Sequence, residues 1–509
     1  MAKSLACVAL TALAVHGAID ADKVDSIPGY NDGELKSGHY SGYIPVGNSS
    51  GAGLGQLHYW LIESEDSPST DPLVMWLNGG PGSSSLIGLL NENGQIKVND
   101  ASLDVSSGEA PKSFYNEFSW SQKANMLFLE QPKGVGYSYC ESTEAEGASS
   151  CQNTDDNVGP DVHDFLVTFF EGFPEYADRD FYITGESYGG TYIPLIMKTI
   201  SDNGVINNLK GAAIGNGCTQ GSCFTDYNEN WIDYQMFKGH SMISMSLANE
   251  IDAACGDWST GTTGVACSRA VSKMYSQSGS YNTYNLLDTC GRDSNPKPVD
   301  MEELRRVQKL GGTGVTYDFK DSLRSHPSLT EILEGASAST TEASRKLSTG
   351  GDYTGDTAWN GVGYPCGNDA ALDAFLDNDA VMEALHVTNA KSGQRYTSNA
   401  PNLQPLYAEL AQKYQLVIYS GDVDMCVPYT YSASWTAGLG FDVTNDWHSW
   451  SSNSLQNAGS VVGGYAIEYD AGNGNPFYFV TVKGSGHMVP QYKPGFALTF
   501  FENFLNFEF

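Results

Sequence analysis

Ser187 lies at the centre of Gly185-Glu186-Ser187-Tyr188-Gly189, a G-x-S-x-G pentapeptide. Between a strand and a helix, this pattern makes a sharp turn that exposes the serine hydroxyl. Such a hydroxyl can carry out acyl transfer, attacking an ester or amide carbonyl. It is a poor nucleophile near neutral pH, so it needs a base and a group that orients the base. Among nine histidines, His487 in Gly484-Ser485-Gly486-His487-Met488 directly follows the strand-like run 477–482. His58 lies inside a strand-like run and reads as core, and His448 reads as a packed surface histidine. Leu416-Val417-Ile418-Tyr419 runs into Ser420-Gly421-Asp422-Val423-Asp424, so Asp424 is the expected acid, with Asp422 its close competitor. The loop Trp76-Leu77-Asn78-Gly79-Gly80-Pro81-Gly82 can bring backbone N–H groups against a developing oxyanion, beside the N–H of Tyr188.

These residues are useful only if the fold sets them side by side. Continuous apolar runs at 73–77 and 125–129 predict strands covered on both faces. Residues 57–62, 181–184, 416–419 and 477–482 are also strand-like, and 161–173 and 191–200 have helical spacing. The alternation predicts an α/β fold, a mostly parallel central sheet with helices on both faces. Open α/β sheets place their sites at the carboxyl ends of strands, where Ser187, Asp424 and His487 fall. Their order along the chain is that of α/β-hydrolases. A Ser, Thr, Gly and Cys-rich stretch, 218–363, is expected to be an inserted cap between core halves 19–217 and 364–509. Within it, 336–353 reads as a near-low-complexity loop containing Arg345-Lys346, a candidate dibasic cleavage point. The aromatic C-terminus, broken by Glu502, Asn503 and Asn506, is expected to be an amphipathic closing helix.

Trp76–Gly82, 128–132 (Phe-Leu-Glu-Gln-Pro), 181–194 (Phe-Tyr-Ile-Thr-Gly-Glu-Ser-Tyr-Gly-Gly-Thr-Tyr-Ile-Pro), Gly421–Asp424 and 486–490 (Gly-His-Met-Val-Pro) together resemble the serine carboxypeptidase family, most of all its secreted fungal members. The likeness runs from about Tyr40 to Phe509 and is weakest in the inserted region. It implies Ser187 as nucleophile with Asp424 and His487, and Gly80 and Tyr188 as oxyanion donors. It also implies that Asn78, Gly79, Glu92 and Glu186 hold a substrate's terminal carboxylate, and that Met488 lines the leaving-residue pocket. The substrates implied are the C-termini of peptides and proteins. By itself Glu92 reads as an ordinary, exposed polar residue of a helix. Two departures stand out: Ser83 where the family has a cysteine, and only about twenty residues between the leader and Tyr40.

With 27 Lys and Arg against 60 Asp and Glu, a net charge of −33 excludes a phosphate backbone as partner and disfavours anionic lipid. Residues 1–18, with Lys3 before an apolar run and Gly17-Ala18 after it, read as a signal peptide, and no later segment looks transmembrane. A secreted or vacuolar destination favours disulfides. Proximity suggests Cys140–Cys151, Cys218–Cys223 and Cys255–Cys267, then Cys290–Cys366, with Cys426 left over beside the site. Asn48-Ser49-Ser50 offers a glycan acceptor in a Gly/Ser loop that also matches G-x-S-x-G. With no CxxC and no HExxH, neither metal nor cofactor is expected. Two other functions compete: esterase or acyl-transfer chemistry at the same serine, and a catalytically silent scaffold.

Overall fold

Leu73–Leu77 is apolar at every position and Asn125–Leu129 at every position after Asn125, and in the computed structural model every one of these side chains is buried. The structure describes residues 21–287 and 370–509, apart from 48–49, 51–52, 107, 141–149, 221–222, 224–227, 260, 262–263, 280, 388–392, 454–459 and 473–474. The expected leader, the Asn48 glycan site, the Cys290–Cys366 pair and the 336–353 loop lie outside the described residues.

Twelve strands form one sheet: β1 (Lys23–Val24), β2 (His39–Val46), β3 (Gly55–Ile62), β4 (Leu73–Leu77), β5 (Asn125–Leu129), β6 (Tyr139–Cys140), β7 (Phe181–Glu186), β8 (Leu209–Gly215), β9 (Gln415–Gly421), β10 (Asp442–Ser452), β11 (Val461–Asp470) and β12 (Pro476–Val482). Their order across the sheet is β1-β2-β3-β5-β4-β7-β8-β9-β12-β11-β10, with β6 beside β3. The six central strands, β5 through β12 in that order, are parallel to one another, and the flanks are antiparallel. This is the expected α/β architecture, and strands from both sides of residues 218–363 share the sheet.

Alternate residues of each central strand feed two cores. Leu73, Met75, Ile183, Ile418 and Phe479 face a layer with α1 (Asp155–Gly172) and α2 (Gly189–Asn203). Val74, Trp76, Tyr182, Val417 and Val480 face the opposite layer, closed by the C-terminal helix Pro494–Asn506. That helix buries Phe500, Phe501 and Phe504 completely, each contributing roughly 2 kcal/mol from burial. Phe501 stacks on Trp120 at 4.2 Å between ring centres.

α1 starts at Asp155, about a turn and a half before the helical spacing that the sequence displays. Thr154 and Asn157 close a capping box, and Asp155 and Asp156 complement the helix dipole, while Pro160, inside the helix, leaves the Asp156 carbonyl without an i+4 donor. The middle of the chain, weak in strand signal, forms α3 (Glu229–Gly239), α4 (Met245–Cys255) and α5 (Gly264–Ser278) over a small core that includes Phe237, Ile251 and Met274. Disulfides join Cys140 to Cys151, Cys218 to Cys223 and Cys255 to Cys267.

Candidate active site

Ser187 follows β7 directly and precedes α2. Its φ of +58° is in the left-handed region, costly for an L-residue, and three backbone bonds hold it there. Its N–H donates to Gly215 O, and its carbonyl accepts from the N–H groups of Gly190 and Cys218, all at 2.9 Å. Ser187 is the one residue between 181 and 194 that is not buried. The loop after β4 lies against this turn. A Cβ on Gly79 would sit 2.3 Å from the Tyr188 nitrogen and 2.7 Å from the Ser187 Cβ, so only glycine allows the approach. Gly80, with φ +111°, is exposed.

Asp424 is fully buried just beyond β9. Its carboxylate accepts from His487 Nδ1 at 2.7 Å, Asn216 Nδ2 at 2.8 Å, and the N–H groups of Cys426 and Val427 at 2.7 and 3.0 Å. Four donors fix its rotation. Because a carboxylate only accepts, Nδ1 of His487 carries the hydrogen and Nε2 is left to take a proton. Asp422 points elsewhere, accepting the Gly484 N–H at 2.6 Å, and burial raises its pKa. Met488, partly exposed, adjoins His487. Among the described residues, no other cysteine is joined to Cys426.

Two supports here were not singled out from sequence. Asn216, one residue past β8, bridges the elements: Gly215 before it anchors Ser187, while Asn216 itself bonds Asp424 and accepts the Gly421 N–H at 3.0 Å. The segment 283–286 straps the acid and histidine loops together. Thr283 O accepts from Met425 N–H and Tyr284 O from His487 N–H, both at 2.8 Å, while Leu286 N–H donates to Val423 O at 3.0 Å. The Tyr284 ring stands edge-on to the His487 imidazole, 5.1 Å between centres. A Ser/Thr/Gly-rich stretch has no periodicity to announce such a strap.

Beside the turn, Asn78 Nδ2 donates to Glu186 Oε1 at 2.9 Å and to Glu92 Oε1 at 3.1 Å. Its Oδ1 accepts from Trp76 Nε1 and Gly88 N–H, which sets the amide orientation. Glu92 is not the exposed helix residue that its neighbours suggest. It is fully buried in a π-helical segment, Gly88–Asn93, every residue of which is buried. Burial pushes its pKa up to about 7. Burial, then the nearby Glu92 carboxyl, raises Glu186 well above the ordinary carboxylate range. Burial likewise lowers Lys97 to about 7, with Glu92 opposing the shift.

His58 shows that such geometry alone does not make a site. Its Nδ1 meets Glu130 at 3.0 Å and its Nε2 meets Ser41 Oγ at 2.9 Å, a Ser–His–acid chain. All three are buried in the core, as read for His58 from sequence, and Ser41 Oγ donates to Leu385 O.

The serine carboxypeptidase family model matches residues 28–507. The chain belongs to the serine carboxypeptidase family. These enzymes are hydrolases of the exopeptidase kind. Among relatives, "Serine carboxypeptidase 1" of Hordeum vulgare is 32% identical, over 95% of this chain and 92% of its own. "Lysosomal protective protein" of Mus musculus is 29% identical, over 97% and 95%. In fold, the carboxypeptidase resembles a prohormone-processing carboxypeptidase from Saccharomyces cerevisiae, with a TM-score of 0.62, 21% identity and 96% of each chain covered. No helix among the described residues is long and apolar enough to cross a membrane.

Proposed function

We propose that the chain removes single residues from the C-termini of peptides and proteins through an acyl-enzyme on Ser187. His487 Nε2 takes the Ser187 proton as Oγ attacks the last peptide carbonyl, and then gives it to the departing amine. Water reverses the sequence and frees the shortened peptide. Asp424 holds the imidazole in the productive tautomer, and the N–H groups of Gly80 and Tyr188 receive the oxyanion. Asn78, the Gly79 N–H, Glu92 and Glu186 hold the terminal carboxylate, with Met488 against the departing side chain.

The observation that carries this reading is the buried Asn78–Glu92–Glu186 cluster beside the nucleophile turn. An esterase has no need of it. Two ionised glutamates would repel a substrate carboxylate; protonated ones donate hydrogen bonds to it. Their raised pKa values therefore suit an acidic compartment, reached through the secretory route that the leader and disulfides suggest. The test is a blocked dipeptide ending in a free carboxylate, its amide and a simple ester. Rapid release of one amino acid from the first supports the proposal. Cleavage of the ester alone would leave esterase or acyl-transfer chemistry, and no cleavage would leave a silent scaffold.

A further inference from the structure

Asp155, the first residue of α1, is buried and unused by the reaction just described, yet four donors converge on it. The hydroxyls of Tyr188 and Tyr396 donate to Oδ1 at 2.9 and 2.6 Å. The N–H groups of Asn399 and Ala400 donate to Oδ2 at 2.5 and 2.7 Å. Tyr188 carries one of the two oxyanion N–H groups, and its ring stands edge-on to Tyr192 and Tyr396, with centres 5.1 and 5.8 Å away. Tyr192 leads to the other group, because its hydroxyl accepts the Gly82 N–H at 3.1 Å and so holds the 79–82 loop. Tyr192 and Tyr396 pack edge-on as well, 6.1 Å apart. One buried network thus reaches both walls of the oxyanion site from a single carboxylate.

We propose that Asp155, acting through the Tyr188 and Tyr396 hydroxyls, is a positioning residue for the oxyanion donors of Gly80 and Tyr188. This rests on the oxyanion roles given above. Donors of this kind act only when they are fixed at hydrogen-bond distance from the oxygen of the transition state. The Tyr188 N–H sits on a turn whose left-handed serine has an incentive to relax. Anchoring the far end of the Tyr188 ring resists that relaxation, because the ring is rigid. Tyr396 comes from the strand Gly393–Thr397, on the other side of the inserted region, and closes the anchor.

Tyr188→Phe and Tyr396→Phe each delete one hydroxyl and keep the ring, so they are made in the full chain. kcat and KM are measured on a blocked ester and a blocked dipeptide. Inhibition is measured with a peptide aldehyde, which adds Ser187 Oγ to form a tetrahedral oxyanion, and with the matching alcohol, which cannot. Each variant should lower kcat about tenfold and weaken the aldehyde by the same factor, with KM and alcohol binding within about twofold. The double variant should cost about as much as the worse single, since both hydroxyls act through one oxygen. Asp155→Asn should act in the same direction and also destabilise α1, so the Phe variants decide. If they melt earlier but keep kcat and aldehyde affinity, the network is only structural and the inference is overturned. Cleavage of the ester without the dipeptide by the wild type overturns the carboxypeptidase reading instead, and the ester and aldehyde ratios still judge this one.

Discussion

Three side chains from distant parts of the chain carry the proposed chemistry, and each can be tested alone. Ser187→Ala should abolish peptidase and esterase activity together, with a loss of roughly several powers of ten in kcat. Asp424→Asn should cost less, because His487 remains but loses its fixed tautomer. Asp422→Asn should change little, since that carboxyl holds the Gly484 N–H rather than the imidazole. A larger loss from Asp422→Asn than from Asp424→Asn would mean that the wrong acid has been chosen. The glutamate pair gives a pH signature. With Glu92 raised to about 7 and Glu186 raised well above the ordinary carboxylate range, the protons needed to bind a substrate carboxylate are present in acid and leave as pH rises. KM for a peptide acid should therefore climb with pH while KM for the amide stays nearly level. Glu92→Gln combined with Glu186→Gln, which keeps both groups neutral, should flatten the climb. Equal pH dependence for acid and amide would rule out the shared-proton binding.

At the scale of elements, the site is a meeting of strand ends. β4, β7, β8, β9 and β12 are parallel, so the segments that leave them emerge along one edge of the sheet. Gly79 is where the loop after β4 touches the turn after β7. A methyl group there meets the Tyr188 nitrogen, the Glu186 carbonyl oxygen and the Ser187 Cβ, and backbone yields only by moving an element. Gly79→Ala should therefore lower kcat by about a hundredfold or more. The buried sheet, whose cores lie away from the loop, should keep most of its thermal stability. Measuring kcat and the melting temperature of one preparation checks this, and an active Gly79→Ala enzyme would show that the loop yields more readily than the contact implies.

Across the whole molecule, 60 acidic side chains face 27 Lys and Arg, so near neutrality the fold works against its own charge. The buried glutamates add to this. Glu92 has a higher pKa folded than unfolded, so its contribution to stability is complete below the unfolded value near 4.5 and is lost as pH rises through about 7. The melting temperature should rise from about pH 8 to about pH 5, and added salt should raise it more at the higher pH. Glu92→Gln should narrow the difference by stabilising the protein at about pH 8 and hardly at all at about pH 4. A melting temperature that falls steadily on acidification would contradict both arguments.

The sequence alone determined six of the strands, β3, β4, β5, β7, β9 and β12, the two-faced burial of the central ones, and the placing of Ser187, Asp424 and His487 just beyond three of them. Those features follow from local pattern: an apolar run such as 73–77 can be satisfied only inside, and a serine between glycines after such a run marks its own turn. The family likeness supplied Glu92 as a candidate, but nothing in its neighbours announces burial. Only tertiary structure decided that this whole segment would be covered, leaving Glu92 to share Asn78 with Glu186. The same holds for Asn216 on Asp424, for the 283–286 strap across two loops, and for Tyr396 beside Tyr188 at Asp155. Each joins segments far apart in the chain, and a polar residue in a loop has the same local pattern whether it meets water or a partner. Hydrophobic periodicity reports how deeply a residue is buried; which polar groups then face one another is fixed only when the sheet brings its strand ends together.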